Sequence, residues 1–349
     1  MNDKRKLLLQ KLTALGGLLL LIIIFSFTSD SFFSVNNIMT VGLQTSTIAF
    51  IGIGVTCVIL TGGIDLSIGS VVALSGVAAG LAVNAGMPVS IGLLLGVVTG
   101  SACGLANGIL VTTFRLPPFI ATLGTMMILR GLALYVTNAA PVSGMPESFG
   151  DLGNGSLFRI VQEGDNGLPQ VIFPGIPYPV ILMIIAAVLF TFALTKMRMG
   201  RYLYAIGSNE EAARLSGIKT NKVKLVAYVI SGTFAGLCGV VIASRLVTAQ
   251  PNGGMMYELD AIASAVVGGT SLMGGVGTIP GTLIGSFIIG VLRNGLNMNG
   301  VSFFVQQIII GSVILLAVAY DQIRQRPATK KSVKQKVSNK KPQVNPSVK

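Results

Sequence analysis

Ten stretches of this chain, near residues 12–28, 38–60, 66–84, 88–111, 118–136, 178–196, 223–245, 258–272, 279–296 and 301–320, are apolar. Most reach, and the rest approach, the ~20 residues that a helix needs to cross a bilayer. No other feature narrows the possible folds as sharply. Backbone in hydrocarbon must pair its own N–H and C=O groups, so only helices or a closed barrel can span. The alternating polar-in pattern of a membrane barrel is absent. Charged residues make up 11% of the sequence, against roughly 25% in a soluble domain. The expected fold is an all-α polytopic membrane protein with about ten transmembrane helices. The stretches 66–84, 258–272 and 279–296 are short or glycine-interrupted, so eight to ten crossings are expected, with some broken or half helices.

Charge orders these stretches across the membrane. Lys4, Arg5, Lys6 and Lys11 precede Leu18 to Ile24, as in a signal peptide. Phe25, Phe27, Phe32 and Phe33 then follow in place of a small-residue cleavage site, which favours a retained first helix. Ten crossings put both termini in the cytoplasm together with Arg115 and the 197–222 loop, flanked by Lys196 and Lys224. That arrangement accounts for all of the 25 Lys/Arg except Arg130, Arg159, Arg245 and Arg293. The loop 137–177 falls outside with Glu147, Asp151, Glu163 and Asp165, as the positive-inside rule requires. The expected organisation is a basic cytoplasmic N-terminus (1–11), a transmembrane domain (12–320) and a disordered basic cytoplasmic tail (321–349). The tail lacks interleaved aromatics and follows a membrane helix, so anionic lipid rather than nucleic acid is its expected neighbour.

The chemistry absent from the chain is informative. Histidine does not occur, and Cys57, Cys103 and Cys238 are isolated in apolar segments. They read as small packing residues rather than as a metal site or disulfide framework. A G-x-x-x-x-G-K-[ST] phosphate loop is missing. GGVGTIPG (274–281) lacks the strand–turn–helix context of a dinucleotide site and reads as a membrane turn. No metal or cofactor is expected in this chain. An ion-coupled carrier needs membrane carboxylates, and only Asp65, Glu258 and Asp260 qualify.

Asp65 lies in TGGIDLSIGS (61–70), between two apolar runs. One reading makes it the N-cap of a helix beginning at Leu66, after a break at Gly62 and Gly63. The other has Thr61, Asp65 and Ser67 lining a solute path, and the two roles can coexist. Glu258 and Asp260 carry the same ambiguity at the start of 258–272. Arg130 and Arg293 read as snorkelling anchors ahead of substrate ligands, and Asn107, Asn294 and Asn297 as bridges between helices ahead of contacts to a solute. Gly92, Gly96, Gly100, Gly104 and Gly108 recur every fourth residue, giving a smooth helix stripe that admits a neighbouring backbone. Gly277, Gly281 and Gly285 repeat the spacing.

The longest loop expected in the cytoplasm contains Asn209-Glu210-Glu211-Ala212-Ala213 and, four residues later, Gly217. Ser208 or Asn209 can cap a short helix there. Glu210 and Glu211 would sit at the positive end of its dipole, and Gly217 would close it. An amphipathic connector is one reading. The pattern also resembles the coupling helix in permease subunits of ATP-binding cassette importers.

Five blocks extend that resemblance: VILTGGIDLSIGS (58–70), PPFIATLGTMMILRG (117–131), GRYLYAIGSNEEAARLSGI (200–218), AQPNGGMMYELDAIASAVVGGTSLMGG (249–275) and GTLIGSFIIGVLRNGLN (281–297). From about residue 30 to 320 the chain resembles the ribose-type permeases of bacterial carbohydrate importers. These are the simple-sugar branch of the branched-chain amino acid/monosaccharide permease superfamily. The resemblance implies a permease that pairs in the bacterial cytoplasmic membrane and takes sugar from an extracytoplasmic binding protein. It further implies a separate cytoplasmic partner, with two ATPase domains in one chain, that binds ATP and Mg. The cargo implied first is ribose; galactose, xylose, allose, inositol or a furanosyl signalling compound are alternatives. The stretch 162–175 and the Lys-rich tail depart from the family pattern.

Overall fold

The computed structural model describes residues 3–163 and 169–325. The tail from 326 onward and the turn 164–168 lie outside the described residues. The chain runs through α1 (Asp3–Thr28), α2 (Val35–Leu60), α3 (Ile68–Asn84), α4 (Val89–Thr112) and α5 (Pro118–Val136). A 3-10 turn and short helix α6 (Asp151–Asn154) lead to α7 (Tyr178–Lys196), α8 (Arg198–Ser208) and α9 (Glu210–Leu215). Then come α10 (Thr220–Leu246), α11 (Tyr257–Val267), α12 (Ile279–Met298) and α13 (Phe303–Gln325).

Six of these helices, α2, α4, α5, α7, α10 and α12, are long and apolar enough to cross a membrane. Leu12–Thr28, Ile68–Asn84 and Phe303–Leu316 are shorter apolar helical segments. The stretch 279–296, expected to be doubtful, is a full 20-residue helix, because Thr278 caps it and Pro280 falls in its first turn. The stretch 258–272 is the shortest, an 11-residue helix.

The all-α expectation needs one correction. Between α6 and α7, β1 (Ser156–Leu157) pairs antiparallel with β4 (Ile176–Pro177), and β2 (Ile160–Glu163) with β3 (Pro169–Phe173). The segment is rich in β-branched residues and is bounded by Gly155 and Gly175, so a small ribbon forms where no apolar periodicity supports a helix.

α2 is the central stave. It is buried from Thr45 through Leu60 and packs against α10, α12, α11 and α7. In contrast, α4, α5 and α7 expose Leu94, Val98, Met127, Ile128, Val188 and Leu189. A continuous apolar exterior of this kind matches lipid as solvent.

The glycines of α4 face two neighbours. A Cβ on Gly92 would lie 3.1 Å from Ala79 O, and one on Gly96 would lie 2.7 Å from Ser75 O, both in α3. A Cβ on Gly100 would lie 2.6 Å from Gly236 Cα, one on Gly104 3.0 Å from Gly232 Cα, and one on Gly108 3.1 Å from Leu225 Cα. These last three approaches are all to α10, which answers glycine with glycine. Ser101 and Thr233 bridge the same seam at 2.8 Å. In the second series, Gly281 and Gly285 of α12 meet Gly268 and Ser264, while Gly277 precedes the helix. Cys57, Cys103 and Cys238 are free thiols.

Candidate functional site

The α2–α3 connection is a break built from local chemistry. Gly62 sits at φ +78, and Thr61 Oγ1 donates back to Val58 O at 2.7 Å. Tyr228 of α10 reaches in to donate to Ile64 O at 3.3 Å. Asp65, 1% exposed, accepts from Ser67 N at 3.1 Å and Ser67 Oγ at 2.7 Å through one oxygen. Its other oxygen accepts from Ser231 Oγ of α10 at 2.8 Å. Asn107 of α4 donates to Ser67 Oγ at 2.7 Å and accepts from Thr125 Oγ1 of α5 at 2.7 Å.

This geometry corrects the capping expectation. The helix begins at Ile68, not Leu66, and Ser67 occupies the cap position without a side-chain cap bond. Its hydroxyl is already shared by Asp65 and Asn107, so Asp65 closes a turn ahead of the helix instead. Three donors meet the carboxylate, none of them Lys or Arg. With both oxygens engaged, Asp65 ties four elements together.

The arginines are corrected as well. Arg293 of α12 donates through one nitrogen to both oxygens of Asp260, at 2.8 and 2.7 Å. Asp260 is 2% exposed. Arg130 of α5 donates to Pro251 O at 2.9 Å and Gly253 O at 2.7 Å, holding the loop before α11. Each guanidinium is held by acceptors inside the bundle. Buried carbonyls and a carboxylate recruited them, because those acceptors need donors in a low-dielectric interior. Met256 takes the N-cap position of α11 without a side-chain bond. Asp260 therefore pairs rather than caps, and Glu258 sits in the first turn, where the helix dipole favours an acid. Asn294 donates to Asn37 at 2.9 Å, joining α12 to α2.

α8 and α9 form a second cluster. α8 buries Gly200, Leu203 and Ile206 and exposes Arg198 and Arg201. Asn209 caps α9 by accepting from Ala212 N at 2.9 Å. Gly217, at φ +83, closes it: Gly217 N donates to Arg214 O and Ile218 N to Ala213 O. That pairing satisfies the last carbonyls of the helix. Glu211 pairs with Arg214 at 2.6 Å, and Glu210 with Lys224 of α10 at 2.6 Å. The bond from Glu211 raises the Arg214 guanidinium above its ordinary range. Ala213 is buried, while Ala212 is exposed and Leu215 is 79% exposed. Leu215 is an apolar tip that a caps-first reading passes over; its signal is an unshielded leucine within EEAARLSG. Beside α9, a cleft of about 350 Å³ is lined by Thr112, Arg115, Glu210, Asn221 and Lys224. The α4–α5 turn thus shares a face with α9.

The two clusters are joined by backbone. Gly275 N donates to Leu60 O at 3.0 Å, and Tyr204 Oη of α8 donates to Gly277 O at 2.8 Å. Gly207 of α8 lies so close to Leu60 O and Gly275 N that a side chain there would collide with both. The end of α2, the 268–278 loop and the helix leading into α9 therefore meet at one point. Among the described residues, no cluster of Cys, Asp or Glu is arranged to hold a metal ion.

A broken-helix core with six helices long and apolar enough to cross a membrane marks a multi-pass membrane protein. The chain belongs to the family described as branched-chain amino acid transport system / permease component, whose profile matches residues 37–318. The ribose import permease protein of Escherichia coli (strain K12) is 45% identical over 89% of this chain and 94% of its own length. The ribose import permease protein of Bacillus subtilis (strain 168) is 45% identical over 90% of this chain and 93% of its own. The D-allose transport system permease protein of Escherichia coli (strain K12) is 40% identical over 85% and 87%. No solved structure gives a significant match. The protein is a multi-pass component of the bacterial inner membrane.

Proposed function

We propose that this chain is the membrane subunit of an ATP-driven importer that translocates a monosaccharide, with ribose first among the candidates. The observation that carries the reading is the 45% identity to ribose import permeases over nearly the whole chain. Identity falls to 40% for the allose permease and 33% for the xylose one. In this reading the chain crosses the membrane ten times with both termini in the cytoplasm. The 137–177 loop faces an extracytoplasmic binding protein, and the 197–222 loop faces a cytoplasmic ATPase with two nucleotide domains in one chain. Two permease copies pair, and ATP and Mg are bound by the ATPase alone.

The coupling geometry supports this assignment. α9, with Asn209 at its head, Gly217 at its end and Leu215 at its tip, is shaped to sit in a cleft of a partner. Movement of α9 reaches the α2 break through α8, because Gly207 rests on Leu60 and the 268–278 loop. ATPase closure would thereby be transmitted to Thr61, Asp65 and Ser67 and to the helix bearing Glu258 and Asp260. The test is reconstitution of the permease with its ATPase and binding protein in proteoliposomes. ATP-dependent uptake of radiolabelled D-ribose is the expected outcome. Uptake by the permease alone, abolished by an uncoupler, would instead identify an ion-coupled carrier.

A further inference from the structure

A polar cavity of about 230 Å³ lies between α2, α12 and the start of α13, with the ends of α10 and α11 closing it. It is smaller than the roughly 300–1,000 Å³ of sites for drug-sized ligands, and so suits one small solute. Its wall includes Gln44, Thr47, Arg245, Arg293, Asn297 and Gln306. None of these belongs to the Asp65 network or to α9.

The wall holds unused hydrogen-bonding capacity. The side chains of Gln44, Arg245 and Asn297 have no hydrogen-bond or ion-pair partner among the described residues. Gln306 directs its Nε2 to Val301 O at 2.9 Å, keeping its carbonyl oxygen free. Arg293 commits only Nη2 to Asp260, which leaves its other nitrogens available. Gln44, Arg245, Arg293 and Gln306 are half-buried and Asn297 is exposed, so these groups are hydrated in the cavity, and their convergence there suits a polar solute that replaces that water with matching hydrogen bonds.

The mixture identifies the chemistry. A site for an anion needs donors only, whereas this wall also presents amide carbonyls and a hydroxyl as acceptors. Asp260 neutralises Arg293, leaving Arg245 as the one uncompensated charge among the residues named. A sugar hydroxyl both donates and accepts, and the Tyr257 ring adds an apolar wall for the C–H face of a pyranose or furanose. We propose that this cavity is a monosaccharide subsite within the permease itself, entered from the side of the α2 N-terminus and the α12 C-terminus. The inference rests on the sugar-importer reading, which places that side toward the binding protein. A few half-exposed polar contacts hold sugar weakly, as a station on a path must.

The test uses the complete transporter in proteoliposomes and D-ribose. Gln44→Leu and Arg245→Leu are each expected to lower uptake about tenfold, the loss of roughly one good hydrogen bond. ATP hydrolysis stimulated by the binding protein should persist in both. In a second arm, Asn297→Cys is labelled with a maleimide, and D-ribose should slow the labelling while inorganic phosphate does not. Wild-type uptake in both leucine variants, or labelling that D-ribose does not slow, overturns the subsite. If a leucine variant loses stimulated hydrolysis together with uptake, the labelling arm decides. Failure of the wild-type complex to import any monosaccharide is a different result, since it overturns the function rather than the site.

Discussion

Asp65 costs the membrane little because its neighbours answer it. Each of its oxygens accepts a hydrogen bond, and its partners reach α4, α5 and α10. Replacing it with alanine strands Ser67 and Ser231 together. Asp65→Ala should destabilise the protein by about 2–3 kcal/mol, since unsatisfied buried groups cost roughly 1–3 kcal/mol each. Asp65→Asn keeps an acceptor and should lose less. Thermal unfolding in detergent ranks the three proteins, and an alanine variant that melts with wild type would remove the network's structural role. The Asp260–Arg293 pair makes the complementary case. Asp260→Leu leaves a cation without its partner and should cost about 2–3 kcal/mol, below the roughly 3–5 kcal/mol of a fully buried broken pair because Arg293 is partly exposed. Asp260→Leu combined with Arg293→Met should recover much of that loss. A double-mutant cycle with no coupling energy would show that the pair is incidental.

Among the elements, α9 is the one whose two caps are local and hence readable. Asn209 bonds three residues ahead, and Gly217 must hold φ +83, a region that costs other residues about 1–2 kcal/mol. Gly217→Val should therefore distort the end of α9. Sugar uptake is expected to fall by an order of magnitude or more while ATP hydrolysis continues, as a mis-seated coupling helix would produce. Normal coupling in that variant would remove α9 from the transmission path. Gly207 tests the next link. Gly207→Ala forces α8 away from Leu60 and Gly275, with an overpacking cost of about 1–3 kcal/mol. It should impair uptake without touching the exposed face of α9. Binding of the ATPase to purified permease, measured alongside uptake, separates the two variants.

For the molecule as a whole, charge placement predicts a topology that labelling can check. In whole cells, Ser338→Cys should be inaccessible to a membrane-impermeant maleimide, while Asn166→Cys should react from outside. Equal accessibility would overturn the ten-crossing scheme. Much of the architecture was legible because hydrophobic length, caps and glycine spacing act over a few residues. The break at Gly62 and Gly63 and the helix from Asn209 were visible for that reason. What was not legible depended on partners far along the chain. Nothing near Arg293 announces Asp260, and nothing near Arg130 announces the carbonyls of Pro251 and Gly253. Tertiary demand for donors overrode the snorkelling expected from their positions. The start of α3 moved by two residues because Ser67 was claimed from across the bundle by Asn107. The close approach of Gly207 to Leu60 and Gly275 likewise depends on residues far along the chain.

The α4–α10 seam also bears on how the protein is made. Ser101 and Thr233, which meet across it, are 132 residues apart in the chain. At about 5–20 residues per second on the ribosome, α4 waits on the order of ten seconds in the bilayer before its counterpart emerges. During that interval the part of its smooth face around Gly100, Gly104 and Gly108 lacks its counterpart. The nascent permease thus passes through a window in which mispairing or removal by quality-control proteases competes with completion. The arrival of α10, rather than the insertion of α4, marks the moment the bundle is committed.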